Sequence, residues 1–278
     1  MAEALDPPFD RPDAEFNNLE GWSWIGCYGG TYLQSDLLKG FEHGFFTRQW
    51  QGRGPEVLAG VVSAGVSVHR THQIHSARVL KASQAGQEPW PEADGLVSDA
   101  GSQSLWVCGA DCTPLLIADP ISGQVAACHA GWRGVAAGIL AETIAQLDHG
   151  RCHRQNLLVA LGPAVSGGAY QVERSVSEQV AATLTPERGE GLHQLQAGGA
   201  LKNDPEPNRD RLDIRRAAVL QLLQLGIRQE HISCCDLCTV SNPLLFHSWR
   251  RDQVKAVQWS GIVSQNDLSG SSEPFIRS

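Results

Sequence analysis

The sequence predicts an α+β fold of mixed α/β layers, mixed β-sheets flanked by helices, and three observations carry that prediction. Short apolar runs at 105–108, 115–118 and 125–128 are punctuated by turn signals such as Asp119-Pro120 and Ser122-Gly123. Two longer segments, 136–147 and 215–225, place apolar residues at helical spacing among helix-forming residues. Helices thus alternate with groups of strands, which argues for layered sheets and against an all-β or all-helical chain.

Residues 1–20, rich in Pro, Asp and Asn, are expected to form a loose tail ahead of a single catalytic domain over 21–264. Phe45-Phe46-Thr47 reads as a strand that ends at Arg48. Leu105-Trp106-Val107-Cys108 is continuously apolar, as a strand covered on both faces must be. The runs 115–118 and 125–128 read as a hairpin. In 136–147, Ile139, Ile144 and Leu147 share one helical face, and the five apolar residues 157–161 form the next strand. Thr185 to Asn208, where Pro, Gly, Glu and Asn cluster, reads as a surface excursion near the site or a tolerated insertion. The helix over 215–225 stops at Gly226, where a left-handed cap belongs. Residues 265–278 are polar and Gly/Ser-rich and are expected to fray.

At 278 residues and 42% apolar composition the chain can bury a large core. A net charge of −8 and a pI near 5.7 argue against general nucleic-acid or anionic-membrane binding. No stretch approaches the roughly 20 apolar residues that span a bilayer, and the N-terminus lacks a basic segment leading into an apolar one, so a cytoplasmic location is expected. Cys108, Cys112 and Cys128 fall in or beside apolar strand-like runs rather than in a loop-rich framework, which reads as reduced thiols. Cys235 and Cys238 have the spacing of a redox or zinc pair, but no second pair accompanies them, so they read as buried thiols near a strand end.

The most informative residues are His75, Cys112 and His129, each inside a short polar segment. Two imidazoles and a thiolate suit zinc, with copper able to replace it, and three protein ligands leave a position for water or substrate. His129 lies where a strand gives way to Gly131-Trp132-Arg133-Gly134, which opens a helix, so free amides and the Arg133 guanidinium would suit an anion.

Asp94-Gly95-Leu96-Val97, Ala110-Asp111-Cys112-Thr113-Pro114 and His129-Ala130-Gly131-Trp132-Arg133-Gly134, with His43-Gly44-Phe45-Phe46-Thr47-Arg48 and Leu161-Gly162-Pro163-Ala164 further out, resemble the laccase-domain family. The resemblance covers about Gly40 to Val263. It departs at Gly109, where many relatives carry Thr, at Gly168-Ala169-Tyr170, and at Gln49-Trp50-Gln51-Gly52. These departures spare the metal ligands and bear on the substrate pocket. A true laccase needs several copper sites, and with ten histidines this chain is not expected to be a multicopper oxidase.

The resemblance implies a fold like that of cysteine-dependent deamidating toxins. Bacterial members are described as purine nucleoside phosphorylases or peptidoglycan editing factors. Phosphorolysis of adenosine, inosine, guanosine and methylthioadenosine is therefore expected, with inorganic phosphate as co-substrate and adenosine deamination as a further activity. His75, Cys112 and His129 would be both metal ligands and catalytic residues. Arg48 and Arg133 would hold the anion, Gln73 would offer an amide to substrate, and Tyr170 would stack on or hydrogen-bond a base or sugar. Asp111 would contact substrate or orient a histidine ligand. Two alternatives stand beside this: an amidase with Cys112 as nucleophile that edits aminoacyl peptidoglycan precursors, and a non-catalytic metal-binding module.

Overall fold

The computed structural model describes residues 19–27, 30–148 and 152–265. The tails expected at either end fall outside the described residues, except for residues 19, 20 and 265. The chain begins with β1 (Trp22–Cys27), β2 (Gly30–Ser35), β3 (His43–Phe46), α1 (Pro55–Val62), β4 (Ser67–Arg70), β5 (Val79–Lys81) and β6 (Gly95–Val97). It continues through β7 (Gln103–Gly109), β8 (Thr113–Ala118), β9 (Val125–Ala130), α2 (Trp132–Ala136), α3 (Ile139–Asp148), β10 (Leu158–Leu161) and β11 (Gln171–Glu173). The last elements are α4 (Arg174–Ala181), α5 (Arg188–Ala197), β12 (Leu201–Asn203), β13 (Arg209–Leu212), α6 (Ile214–Gln224), β14 (Ile232–Cys234), α7 (Trp249–Asp252) and β15 (Gln258–Val263).

These strands form two mixed six-stranded sheets, ordered β1-β2-β3-β15-β7-β4 and β14-β10-β8-β9-β6-β5, and a small sheet β11-β13-β12. The fold is the expected α+β class. Strand periodicity explains the layering, because successive side chains leave a strand on opposite faces. Leu116 and Ala118 of β8 join Phe45, Leu105 and Ile262 of the first sheet in one buried cluster. Leu115 and Ile117, their alternates, pack instead against Ile139 and Ile144 of α3 and Leu222 of α6. The outer face of the first sheet buries Tyr32, Phe46 and Trp106 against Leu58 of α1. A strand covered on both faces has no polar side, which is why its sequence runs continuously apolar.

The hairpin of β8 and β9 pairs Thr113 with Ala130 through to Ala118 with Val125. Asp119 shapes its turn by accepting from Ile121 N–H at 3.0 Å and Ser122 Oγ at 2.8 Å. The helix expected over 136–147 is divided, because Gly138 at φ 85° separates α2 from α3. The segment 185–208 is not a bare excursion: it contains α5 and β12, with Leu195 and Leu201 buried in the core. Its Gly and Glu content hides the spacing of Leu192 and Leu195, which carries the helix. α6 begins one residue earlier than expected, with Asp213 accepting from Arg216 N–H as its cap, and Gly226 ends the helix region at φ 89°. All eight cysteines are free thiols. Cys235 and Cys238 are buried beyond the end of β14.

Close contact between the two large sheets depends on Gly162, just after β10. A Cβ there would lie 2.2 Å from Phe45 Cδ1 and 3.0 Å from Pro114 Cγ. Gly162→Ala is therefore expected to cost roughly 1–3 kcal/mol in urea denaturation. Gly60→Ala, in α1 with open space around the new methyl, should instead stabilise by up to about 1 kcal/mol.

Candidate metal centre

The site lies where the two large sheets meet. β7 belongs to the first sheet and β8 to the second, so residues 110–112 must cross between them. Asp111 makes the crossing at φ 92°, a backbone conformation that costs a non-glycine residue roughly 1–3 kcal/mol unless its surroundings hold it. The holding groups are Thr239 Oγ1, which donates to one carboxylate oxygen at 2.5 Å, and Arg250 N–H, which donates to the other at 2.6 Å. Cys112 follows at the start of β8. Because Thr113 pairs with Ala130, Cys112 lies beside Gly131 and close to His129 near the end of β9. His75 comes from the loop after β4, also in the left-handed region, at φ 61°.

Asp94 holds two of these three residues, and the sequence reading assigned it no role. Its fully buried side chain accepts His129 Nδ1 at 2.9 Å and His75 N–H at 2.9 Å through one oxygen. The other oxygen accepts Ile74 N–H at 3.2 Å, Ser76 N–H at 2.7 Å and Ser76 Oγ at 2.8 Å. The orienting role expected of Asp111 therefore falls to Asp94, since the Asp111 oxygens are engaged by Thr239 and Arg250. An acid opening an apolar strand was the available signal, but nothing local named its distant donors.

With Nδ1 donating to Asp94, His129 directs Nε2 towards the centre. Burial opposes ionisation of Asp94, but the bonds from His129 and Ser76 outweigh it and hold the carboxyl at about 2. Burial likewise opposes the Cys112 thiolate, yet the His129 charge and hydrogen bonds from His129 and His75 bring the thiol down to about 6. For His129, burial is overcome by the Cys112 charge and the Asp94 bond, which raise the imidazole to about 9. Each shift thus favours the charged form, a thiolate at Cys112 and an imidazolium at His129.

The donors of His75, Cys112 and His129 all lie within 4.8 Å of one another, with Cys112 Sγ 3.9 Å from His75 Nε2. Tetrahedral zinc bonds of about 2.1–2.3 Å need donor separations of about 3.5 Å, so a small contraction closes the set. Gly131 leaves the necessary room: a Cβ there would sit 3.0 Å from Cys112 Sγ and 3.1 Å from His75 Cδ2. The donor set fits zinc or copper.

A cavity of about 700 Å³ opens from these donors. Arg250 stacks over Tyr170 at 4.7 Å and Arg133 over Trp132 at 4.5 Å, all four lining it. Burial, then the Cys112 charge, pushes the Tyr170 phenol up to about 12 despite the two arginines, so it stays a donor at neutral pH. α2, which Gly131 opens, has only five residues, so the Arg133 charge outweighs any helix-end effect. Asp111 and Gln73 also line the cavity, but the Gln73 amide is already paired with Cys108, donating to its carbonyl at 2.7 Å and accepting its N–H at 2.8 Å. Arg48 is not among the lining residues and donates to the Pro243 carbonyl at 2.6 Å.

Fold and site together define a layered α+β protein with a His-Cys-His donor set that could hold a metal, lining a cationic and aromatic cavity. The family model described as multi-copper polyphenol oxidoreductase laccase matches residues 56–264, and the chain belongs to that family. It is 41% identical over 256 residues to "Purine nucleoside phosphorylase slr1573" of Synechocystis sp., covering 87% of this chain and 97% of that protein. It is 32% identical over 191 residues to "Purine nucleoside phosphorylase YlmD" of Geobacillus stearothermophilus, 65% of this chain and 66% of that one. The crystal structure of that YlmD superposes with a TM-score of 0.75 at 24% identity, covering 87% of this chain and 99% of the other. A Bacillus licheniformis hypothetical protein, YfiH, shares the fold at a TM-score of 0.74 and 22% identity, with coverage of 87% and 99%. Among the described residues no helix is long and apolar enough to cross a membrane.

Asp94→Ala should weaken metal affinity about 10–100-fold in chelator competition, because His129 and the His75 loop lose their shared acceptor. In metal-free protein, far-ultraviolet thiolate absorbance assigned to Cys112 should be present above about pH 6 and vanish below it. The sign follows from a thiol held below its ordinary value, and Cys112→Ala should remove that titration while leaving the circular dichroism of the fold intact.

Proposed function

We propose that the chain is a metal-dependent purine nucleoside phosphorylase acting on adenosine, inosine, guanosine and methylthioadenosine, with adenosine deamination as a further activity. The observation that carries this reading is the union, in one cavity, of a His-Cys-His donor set with two stacked arginines and a protonated tyrosine. The names of the relatives support it.

In the proposed reaction, Arg133 and Arg250 hold inorganic phosphate by charge-assisted hydrogen bonds. A phosphate oxygen bonds to the ribose C1′ while the C1′–N9 bond breaks; its electron pair leaves with the purine, which takes up a proton. Tyr170 donates a hydrogen bond to the substrate, and the Trp132 and Trp249 indoles, which also line the cavity, offer faces for the base. Asp94 keeps His129 in the tautomer that presents Nε2. A metal held by His75, Cys112 and His129 would supply Lewis acidity and a water of lowered pKa, the chemistry deamination also requires.

A second reading rests on one specific feature: His129 stands between Cys112 and Asp94 as the base does in a nucleophile–base–acid triad. This would serve the amidase alternative, the thiolate attacking an aminoacyl amide. A stoichiometric metal on Sγ opposes it.

Chromatography of adenosine incubated with metal-quantified protein should show adenine only when phosphate is present. Phosphate-independent inosine alone would leave only deamination, and no product would overturn the nucleoside reading. Arg133→Gln should raise the KM for phosphate about 10–100-fold and leave that for nucleoside within a few-fold.

A further inference from the structure

We propose that the end of the cavity formed by Arg70 and Lys255 is a second anion subsite, which takes the phosphate of a purine nucleoside 5′-monophosphate. The placement of the base and ribose rests on the function proposed above.

Arg70, the last residue of β4, lines the same cavity as the metal donors. Its guanidinium lies 4.5 Å from the Trp90 ring centroid and 5.5 Å from that of Trp259. Several arginines of the fold commit donors to backbone carbonyls. Arg48 binds the Pro243 carbonyl, and Arg251 binds those of Thr239, Val240 and Phe246. Arg70, among the described residues, makes no side-chain hydrogen bond, and its Nε is buried without a partner. The nearest anions, Glu56 and Glu88, stand 3.8 Å away with side chains 56% and 74% exposed, and neither lines the cavity. Contacts of that length are ion pairs of small worth and leave the guanidinium donors unsatisfied.

A guanidinium packed against two indoles has already lost much of its rotamer freedom, so an arriving anion gains charge-assisted bonds at little ordering cost. Lys255 lines the same end, and among the described residues it has no ion pair. The cavity adjoins a recess of about 300 Å³ that shares Lys255 and Trp259 with it, where Arg53 stacks over Trp50 at 4.8 Å. In a chain of net charge −8, this is a local concentration of cations.

Phosphorolysis of a neutral nucleoside needs one anion site, and Arg133 with Arg250 provides it near the metal donors. In a β-nucleoside, C5′ leaves the ribose on the face opposite the attacking phosphate. A substrate with C1′ facing Arg133 and Arg250 therefore directs its 5′ substituent away from them, and the proposal places that substituent at Arg70, which lines the same cavity.

Calorimetric titration of zinc-loaded protein in phosphate-free buffer, with inosine and with inosine 5′-monophosphate, tests the proposal without turnover by phosphorolysis. The monophosphate is expected to bind about tenfold more tightly. Arg70→Gln should bring the affinity ratio close to one, as should Lys255→Gln if the first variant does not fold, and Arg133→Gln should preserve it. A monophosphate that binds no better than inosine overturns this inference alone. So does a ratio that survives Arg70→Gln and Lys255→Gln, or one that disappears in Arg133→Gln. If inosine itself fails to bind, the nucleoside function falls together with it.

Discussion

A buried carboxylate is tolerable only when its charge is fully met by hydrogen-bond donors, and Asp94 meets that requirement with residues of the candidate metal centre. Its donors are the backbone of the loop that carries His75, a serine of that loop and the ring of His129. The cost of burying the charge is thereby tied to the geometry of two ligands. This also accounts for the left-handed backbone of His75, since the three consecutive amides at 74–76 all turn towards one side chain. Loss of the carboxylate would free the loop and the imidazole together.

The third ligand obeys a different constraint. Cys112 is placed by the crossing from one sheet to the other, and that crossing is tied to the segment after β14 through Thr239 and Arg250. Arg250 serves twice, as its amide holds Asp111 while its guanidinium stacks on Tyr170 in the cavity. The candidate metal donors and the cationic wall thus share a support, so their relative placement is a property of the fold rather than of loose side chains.

Much of this was legible in the residues. Continuous apolar runs revealed sheets covered on both faces, and Gly226 marked the end of a helix that the structure confirms almost to the residue. His75, Cys112 and His129 stood out as metal-ligating residue types inside short polar segments, and the structure brings their donors together. Asp94 was missed because its partners are distant in sequence, and orientation of a histidine was offered instead as one of two roles for Asp111. Arg48 resembled an anion ligand by residue type, but an arginine's function depends on what its guanidinium already binds, which no local pattern records. The same limit hid Arg70, whose guanidinium packs against two indoles with its Nε left without a protein hydrogen-bond partner. In 136–147, helix-forming composition concealed the left-handed turn at Gly138.

The account depends on a single metal bound by His75, Cys112 and His129 being necessary for turnover of purine nucleosides. Its most direct test is to strip the protein with a chelator and follow adenosine phosphorolysis as zinc is returned in measured increments. The account predicts no activity in the stripped protein and a linear recovery that ends at one zinc per chain. Full activity in protein shown to be metal-free would contradict it, and would direct attention to the Cys112 thiolate as a nucleophile.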